Sequence, residues 1–239
     1  EGAQAVGLHF ALGRLPDVTS SDTSINGIPA GTKFWRPQDI QEKIGVMKLT
    51  YMSSVGSARM PTDLMLPREA IQSQEDLTEV QKYGLWVREE AHERGTTTGR
   101  YRDICLLDLE LMRYNIRMGG IEMLAGTHLD IAREDMPIKV CTHYVDKTSG
   151  QPVPYQPGIW HQKNVKPVYI ELPSWDGKDA QKAQSFDDLP DNAKRFLAFI
   201  QAQTSTPITA VTNGPERHHL VEIPPKRPPQ QHYQGVAYV

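Results

Sequence analysis

The chain has 239 residues, which is long enough to bury a sizeable core as one domain or two. Its hydrophobic content of 38% and charged content of 23% are ordinary for a globular protein. No run of about 18 apolar residues is present to span a bilayer. Because the formal net charge is only −3, any anion must be bound locally rather than by the chain as a whole. We therefore predict no nucleic-acid partner and no membrane partner.

Two cysteines, Cys105 and Cys141, are too few for a disulfide framework and favour a reducing cytoplasm. Both lie in apolar, periodic segments, so we expect buried structural thiols rather than nucleophiles. The adjacent His218 and His219 would point to opposite sides of an extended segment, and the other histidines lack ligand spacing. The sequence predicts no metal site within this chain.

Short apolar runs alternate with helical patterns along the chain, which indicates an α/β protein. Alternating apolar residues over 47–51 predict a strand that leads into a turn at Val55 and Gly56. Apolar residues at helical spacing over 105–116 predict a helix that ends at Gly119 and Gly120. The polar segment 95–102 is expected to stand at the entrance to that helix.

Later elements follow the same alternation. Met123 begins a predicted strand that carries residues 127–130 at its C-terminal end, where ligands of open α/β sheets gather. Residues 138–145, 167–172 and 207–211 are further strand candidates, and 146–157 is predicted to be a turn and excursion. A helix is predicted to open at Leu189 and Pro190, with an apolar stripe of Ala193, Phe196, Leu197 and Ile200 that is expected to face the core. The proline-rich residues 223–239 are predicted to form an extended tail, which leaves 1–222 as the folded body.

The segment from Gly95 to Arg102 concentrates three threonines, two glycines and two arginines in eight residues. Arginine presents a planar fork that grips a carboxylate or phosphate through two parallel hydrogen bonds. Glycine lets backbone N–H groups approach the same anion, and the hydroxyl groups add further donors. The alternative is a polar turn with solvated arginines. The composition favours an anion-binding loop.

Five segments occur in order: Glu1-Gly2-Ala3-Gln4, Val18-Thr19-Ser20-Ser21, Thr97-Thr98-Gly99-Arg100, Thr127-His128-Leu129-Asp130 and Asn213-Gly214-Pro215-Glu216-Arg217. As an ordered set they resemble the adenylosuccinate synthetase family, the ligases that join aspartate to inosine monophosphate (IMP). The resemblance runs from the first residue to about Val221. It implies an open, mostly parallel sheet flanked by helices, in an incomplete P-loop-NTPase-like architecture.

The resemblance also implies which residues bind which substrate. The purine nucleotide would contact Gln4, Thr19, Val55 and Gly56, with Thr19 at its phosphate. The amino acid aspartate would contact Thr97, Thr98, Arg100 and Arg102, with Arg100 on its carboxylate. The nucleoside triphosphate, GTP, would contact Arg102, His128, Asp130, Thr212 and Gly214, with Asp130 reading the guanine base. The family further implies Mg²⁺, held mainly by residues outside this chain, and a homodimer.

Several positions depart from the family pattern. His128 replaces a lysine of the guanine-reading motif, which puts the preference for GTP over ATP in question. Ser54 replaces an arginine before Val55 and Gly56, and Asp103 replaces an arginine after Arg102, so that local anion affinity is expected to fall. The segment Leu15-Pro16-Asp17 stands where the family has Tyr-Pro-Tyr.

The family's phosphate loop, Gly-Asp-Glu-Gly-Lys-Gly-Lys, and its catalytic histidine have no counterpart in this chain. We therefore assign no catalytic residue and expect the chain to be the C-terminal part of a longer enzyme, or the remnant of one. The implied function is a ligase that joins L-aspartate to IMP at the expense of GTP. Two alternatives are a divergent ligase that uses another purine nucleotide, such as a guanylate for modified-base synthesis, and a noncatalytic nucleotide-binding half.

Overall fold

The computed structural model describes residues 4–33, 36–56, 59–69, 74–95 and 99–224. Thr97 and Thr98 of the predicted aspartate loop lie outside these residues, as does the predicted tail beyond residue 224. The strands of the described part are β1 (Ile44–Lys48), β2 (Tyr51–Ser54), β3 (Asp103–Asp108), β4 (Met123–Thr127), β5 (Ile138–Asp146), β6 (Pro152–Val153), β7 (Val165–Leu172), β8 (Ile208–Thr212) and β9 (Leu220–Glu222). Its α-helices are α1 (Gly27–Thr32), α2 (Glu79–Glu90), α3 (Leu109–Gly119), α4 (Ile159–Asn164), α5 (Gly177–Lys182) and α6 (Asp191–Thr204).

The first sheet has the strand order β1-β4-β8-β9. The first three strands are parallel, and β9 pairs antiparallel with β8 at one edge. Since parallel strands end on the same side, the carboxyl ends of β1, β4 and β8 meet at a single edge of the sheet. The predicted α/β fold with an open, mostly parallel sheet is confirmed.

The main hydrophobic core covers one face of this sheet. Leu124 of β4 and Ile208 of β8 pack in one buried cluster with Phe196 and Ile200 of α6 and Met112 of α3. The apolar stripe predicted for α6 is thus its core face. Burial of each such large side chain stabilises the fold by about 1.5–3 kcal/mol, so this packing holds the sheet and its carboxyl edge rigid.

A second sheet, mostly antiparallel, lies beside the first. Its order is β2-β3-β5-β6, β7 also pairs with β5, and only β3 and β5 run parallel. Cys105 of β3 and Cys141 of β5 are fully buried free thiols, as predicted, and burial raises the pKa of both. The sequence does not predict that β2, β3 and β5 leave the parallel sheet and form this second one.

The prediction of one continuous strand over 47–51 is wrong, because the structure has two strands there. β1 ends at Lys48, and β2 begins at Tyr51 in the other sheet. The linking residues remain tied to the first sheet: Leu49 N–H donates to Thr127 O at 3.0 Å, and Thr50 Oγ1 donates to Ile131 O at 2.7 Å. The alternating pattern continues across a change of sheet, which periodicity alone does not reveal.

The prediction that the arginine segment opens a helix is also wrong. The buried strand β3 lies between Arg102 and α3, so that no helix N-terminus stands beside the loop. All six residues of β3 are buried, and its four central apolar residues, 104–107, have neither strand nor helix periodicity. Helix α3 begins later, where Asp108 caps it by accepting from Leu111 N–H at 3.1 Å. It ends as predicted, with Gly120 in the left-handed conformation at φ 66°.

The first described segment packs against α3. Tyr114 OH donates to Leu12 O at 2.8 Å, and a side chain at Gly119 would meet Val6 at 2.9 Å. At the other end, Ile223 is buried, and its N–H donates to Thr209 O at 2.8 Å. Within the part of the chain that the structure describes, no helix is long and apolar enough to cross a membrane.

Candidate functional site

The carboxyl edge of the first sheet brings three predicted segments together. β1 ends at Lys48, β4 ends at Thr127 and leads into His128 and Asp130, and β8 ends at Thr212. The two loops that follow β4 and β8 touch directly, because Leu129 N–H donates to Thr212 O at 3.0 Å. This is the edge at which open α/β sheets bind ligands.

Buried hydrogen bonds fix both loops in place. Trp175 Nε1 donates to Leu129 O at 2.9 Å. The fully buried Asn213 donates from Nδ2 to Ala180 O at 2.7 Å and to Ala183 O at 3.0 Å, both at the C-terminal end of α5. The loop after β8 is therefore clamped to α5. The sequence marks Asn213 only as part of a motif and not as this anchor.

Two glycines permit the close approach of α5 and the loops. A Cβ on Gly177 would stand 1.9 Å from Asp130 O, and a Cβ on Gly214 would stand 2.3 Å from His219 Nδ1. Real Cβ atoms do not approach other atoms so closely. A side chain at Gly177 would therefore displace the backbone of the loop after β4, and one at Gly214 would displace the side chains of His219 and Gln181. The predicted site residue Gly214 thus has a steric reason to be glycine.

Asp130 lines a cleft of about 700 Å³ whose wall includes Trp86, Arg133 and Lys178. A cleft of this size can take a nucleobase with its sugar. Burial raises the pKa of Asp130, while the neighbouring His128 and His219 oppose that rise. Arg133 lies over the Trp86 ring with its guanidinium carbon 5.6 Å from the ring centroid. The cleft therefore offers a half-buried carboxylate beside an aromatic wall.

His128 stands where the family has a lysine, but its side chain is placed by a contact with another ring. Its backbone has φ 63°, and its ring packs edge-on against Tyr51 with centroids 5.6 Å apart. Burial, followed by the positive charge of Lys48, lowers the pKa of His128. At neutral pH the imidazole is uncharged, so it supplies a ring edge where the family has a cation.

A buried carboxylate links this edge to the arginine segment. Glu93 is 2% exposed and accepts from Lys48 Nζ, from Tyr51 OH at 2.5 Å and from Arg102 Nη1 at 3.1 Å. Burial alone would raise the pKa of Glu93, but the adjacent Lys48 ammonium holds it below its usual value. Sequence reasoning missed Glu93 and Lys48; their only signal is position, just before the arginine loop and at the end of a strand.

The arginine segment forms a hairpin rather than a helix entrance. Residues 94 and 101 pair as an antiparallel bridge, Gly95 N–H donates to Arg100 O at 2.8 Å, and Arg102 N–H donates to Glu93 O at 2.9 Å. Tyr101 lies between two guanidiniums, with Arg94 4.5 Å and Arg88 5.0 Å from its ring centroid. Arg100 is exposed next to the bridge residue Tyr101, and Arg102 follows Tyr101 on the other side.

The negative charge of Asp103, which stands where the family has an arginine, is neutralised by arginines from elsewhere in the chain. The buried Asp103 carboxylate accepts two hydrogen bonds from Arg68, one of them from Nε at 2.8 Å, and Arg59 stands 3.9 Å away. The acid that follows Arg102 therefore does not compete for that arginine. The expected loss of local anion affinity is a consequence of fewer cations, not of an unpaired acid.

The predicted purine-nucleotide residues are partly brought together. The carboxyl group of Asp17 lies against Gly56, so closely that a Cβ on Gly56 would stand 2.4 Å from its Cγ. The turn at Val55 and Gly56 thus meets the segment that leads to Thr19, whose N–H donates to Leu8 O at 2.8 Å. Gln4 is exposed with φ 74°, and no hydrogen bond to the other three is found among the described residues.

The Thr19 hydroxyl faces solvent and lies 3.4 Å from Ser21 Oγ. If it binds the 5′-phosphate, Thr19→Val should weaken the binding of IMP about tenfold, because one hydrogen bond to a charged group is worth about 1.5–3 kcal/mol. Isothermal titration with IMP measures this effect, and Thr19→Ser should restore most of the affinity. Wild-type affinity in Thr19→Val would mean that Thr19 is only a turn residue.

Comparisons with known proteins follow the same pattern. The family model for adenylosuccinate synthetase matches residues 1–221. The adenylosuccinate synthetase of Caldicellulosiruptor saccharolyticus is 33% identical over 222 residues, which cover 92% of this chain and 48% of the relative. That of Clostridium botulinum (strain Eklund 17B / Type B) is 34% identical over 224 residues, covering 93% and 48%.

A solved structure agrees as well. The fully ligated adenylosuccinate synthetase from Plasmodium falciparum superposes with a TM-score of 0.82 at 28% identity, covering 94% of this chain and 49% of that one. The chain spans about half the length of the curated relatives it matches. A family model that covers almost all of the described residues, with a matching fold, places this chain in the adenylosuccinate synthetase family.

Proposed function

We propose that the protein is a ligase that joins L-aspartate to IMP, coupled to GTP hydrolysis, and so forms adenylosuccinate for AMP biosynthesis. The observation that carries the proposal is the meeting of three segments at one sheet edge. Leu129 N–H bonds to Thr212 O, and Glu93 links Arg102 to Lys48 beside His128. Segments that are far apart in the sequence thus meet at one edge, which supports Asp130 as the acceptor for guanine and Lys48 and Arg102 as nearby cations.

The proposed reaction has two steps. The γ-phosphoryl group of GTP passes to O6 of IMP, and the aspartate amine then attacks C6, so that phosphate leaves with O6. Charge on the transferring oxygens must be stabilised, and electrostatics therefore dominate. Asp130 accepts from N1–H and from the amine of guanine. Arg100, with Thr97 and Thr98, holds the aspartate carboxylate. The purine nucleotide is held by Gln4, Thr19, Val55 and Gly56.

The proposed reaction also uses Mg²⁺. Across the described ranges, no group of three His, Cys, Asp or Glu side chains could hold a metal ion. We propose that it is held by residues outside the matched half of the family fold. The homodimer likewise remains a prediction.

The direct test is an assay of the protein expressed from its complete gene. Phosphate release from GTP should require both IMP and aspartate, and an N-succinyl nucleotide should form in equal amount. Phosphate release without aspartate, or none with any combination of the three substrates, would contradict the proposal.

A second candidate is a related ligase that accepts a guanylate instead of IMP. The observation in its favour is Asp17, whose carboxyl group lies 4.0 Å from Arg14 Nη2 and against Gly56, one of the predicted purine-nucleotide residues. A carboxylate can accept from the exocyclic amine of guanine, which IMP lacks. Offering IMP, GMP and dGMP as acceptors, with Asp17→Asn as the variant, separates the candidates: a guanylate preference that Asp17→Asn abolishes would favour the second.

A further inference from the structure

Glu93 is placed between two cations at the centre of the site. Its carboxylate is almost completely buried, yet it accepts from Lys48, Tyr51 and Arg102, which come from three different segments of the chain. A buried carboxylate without partners would be strongly unfavourable. The network therefore satisfies Glu93 and, at the same time, holds both cations in fixed positions.

Arg102 uses only part of its donor set in this contact. Glu93 accepts from Nη1, whereas Nε is buried and has no hydrogen-bond partner among the described residues. The guanidinium side chain is 36% exposed, so it is not closed off from solvent. Because guanidinium donors lie in one plane in a fixed fork, the bond at Nη1 sets the direction of the Nε and Nη2 edge.

Lys48 stands on the other side of the same carboxylate. Its ammonium also donates to Ser53 Oγ at 2.6 Å and lies 5.1 Å from the centroid of the Tyr51 ring. Four charged side chains lie close enough to His128 to influence its pKa: Lys48, Glu93, Asp130 and Arg102. If Asp130 pairs with a base edge, the Arg102 edge that Glu93 does not use is available to an anionic group.

We propose that Glu93 is a positioning residue that fixes Arg102 through Nη1, so that its Nε and Nη2 edge binds a substrate oxyanion. The oxyanion is a carboxylate of the amino acid or a phosphate of the triphosphate, which share this chemistry. The inference rests on the proposed function for the identity of these substrates. It goes further by assigning a role to Glu93.

The first test is a double-mutant cycle in the protein expressed from its complete gene. Glu93→Gln should raise the KM for aspartate or for GTP about tenfold and change the KM for IMP less than twofold; the substrate affected identifies the oxyanion. In an Arg102→Met background, Glu93→Gln should have no further effect on that KM, because the group it positions is gone. Equal effects in both backgrounds would overturn the proposal.

Asp108→Asn is the matched control. Asp108 is also a fully buried carboxylate, bound by Tyr144 OH and by Leu111 N–H. This variant should lower the melting temperature without changing the KM of any single substrate selectively. If Glu93→Gln behaves in the same way, with all three KM values shifted together, Glu93 is only structural.

A measurement on the wild-type protein covers the case in which Glu93→Gln does not fold. Crystal structures with aspartate and with GTP should show one oxyanion within about 3.2 Å of Arg102 Nε and Nη2, while Nη1 stays on Glu93. Arg102 leaving Glu93 in both complexes, or no oxyanion at Arg102 in either, would overturn the proposal. An oxyanion at Arg102 in a protein without ligase activity would instead refute only the proposed function.

Discussion

Replacing Asp130 by Asn is expected to raise the KM for GTP about hundredfold, equivalent to about 2.7 kcal/mol, and to leave the KM for ATP nearly unchanged. An ionised carboxylate accepts both N1–H and the amine of guanine, and hydrogen bonds to charged groups are worth about 1.5–3 kcal/mol each. Adenine does not offer this donor pair. The wild-type protein should therefore prefer GTP, and Asp130→Asn should remove most of the preference.

The measurement is kcat/KM for GTP and ATP at fixed IMP and aspartate. Glu42→Gln, which changes an exposed acid just before β1, at the opposite edge of the sheet from Asp130, is the control and should alter the ratio less than twofold. His128 replaces the family's cation with a neutral ring held against Tyr51, so the preference should be smaller than in a relative with lysine. Equal use of both triphosphates by the wild-type protein would show that Asp130 does not read guanine.

The same carboxylate predicts a pH dependence. Burial raises the pKa of Asp130, and only the ionised form can accept both guanine donors. The preference for GTP should therefore be complete above this pKa and should decline as the pH falls through it, at a higher pH than for an exposed aspartate. Taking the ratio of GTP to ATP affinity cancels the titration of the phosphates, and Asp130→Asn should abolish the decline.

Replacing Arg100 by Leu is expected to raise the KM for aspartate at least about tenfold, or about 1.4 kcal/mol. Arg100 is exposed, and its carbonyl oxygen is tied to Gly95 N–H at 2.8 Å. Arg100→Lys should restore little, since a lysine ammonium cannot make the bidentate pair. Steady-state kinetics with aspartate as the varied substrate decide the point, and unchanged aspartate kinetics in Arg100→Leu would remove Arg100 from the site.

The parts of the fold that follow a simple period could be predicted from the sequence. β4, β5 and β8 and the core face of α6 appear where the apolar pattern predicts them. The meeting of the loops after β4 and β8 also follows, because the ends of parallel strands share an edge. Gly120 ends α3 because glycine adopts the left-handed conformation there at little steric disadvantage.

Other features depend on contacts between distant residues and leave no local signal. β3 is buried on both faces, and the link between β1 and β2 changes sheet without breaking the alternation. Glu93 is an ordinary acid in the sequence, and only the fold places Lys48, Tyr51 and Arg102 around it. Likewise, the partner of Asp103 is Arg68, which lies 35 residues earlier.

The most direct test of the central claim follows the oxygen at C6 of the purine. The protein expressed from its complete gene is supplied with GTP, aspartate and IMP carrying heavy oxygen at O6. If the amine displaces a phosphorylated O6, the released phosphate should carry the label in one-to-one ratio with the N-succinyl nucleotide. Unlabelled phosphate, or labelled IMP recovered intact while GTP is consumed, would contradict the account.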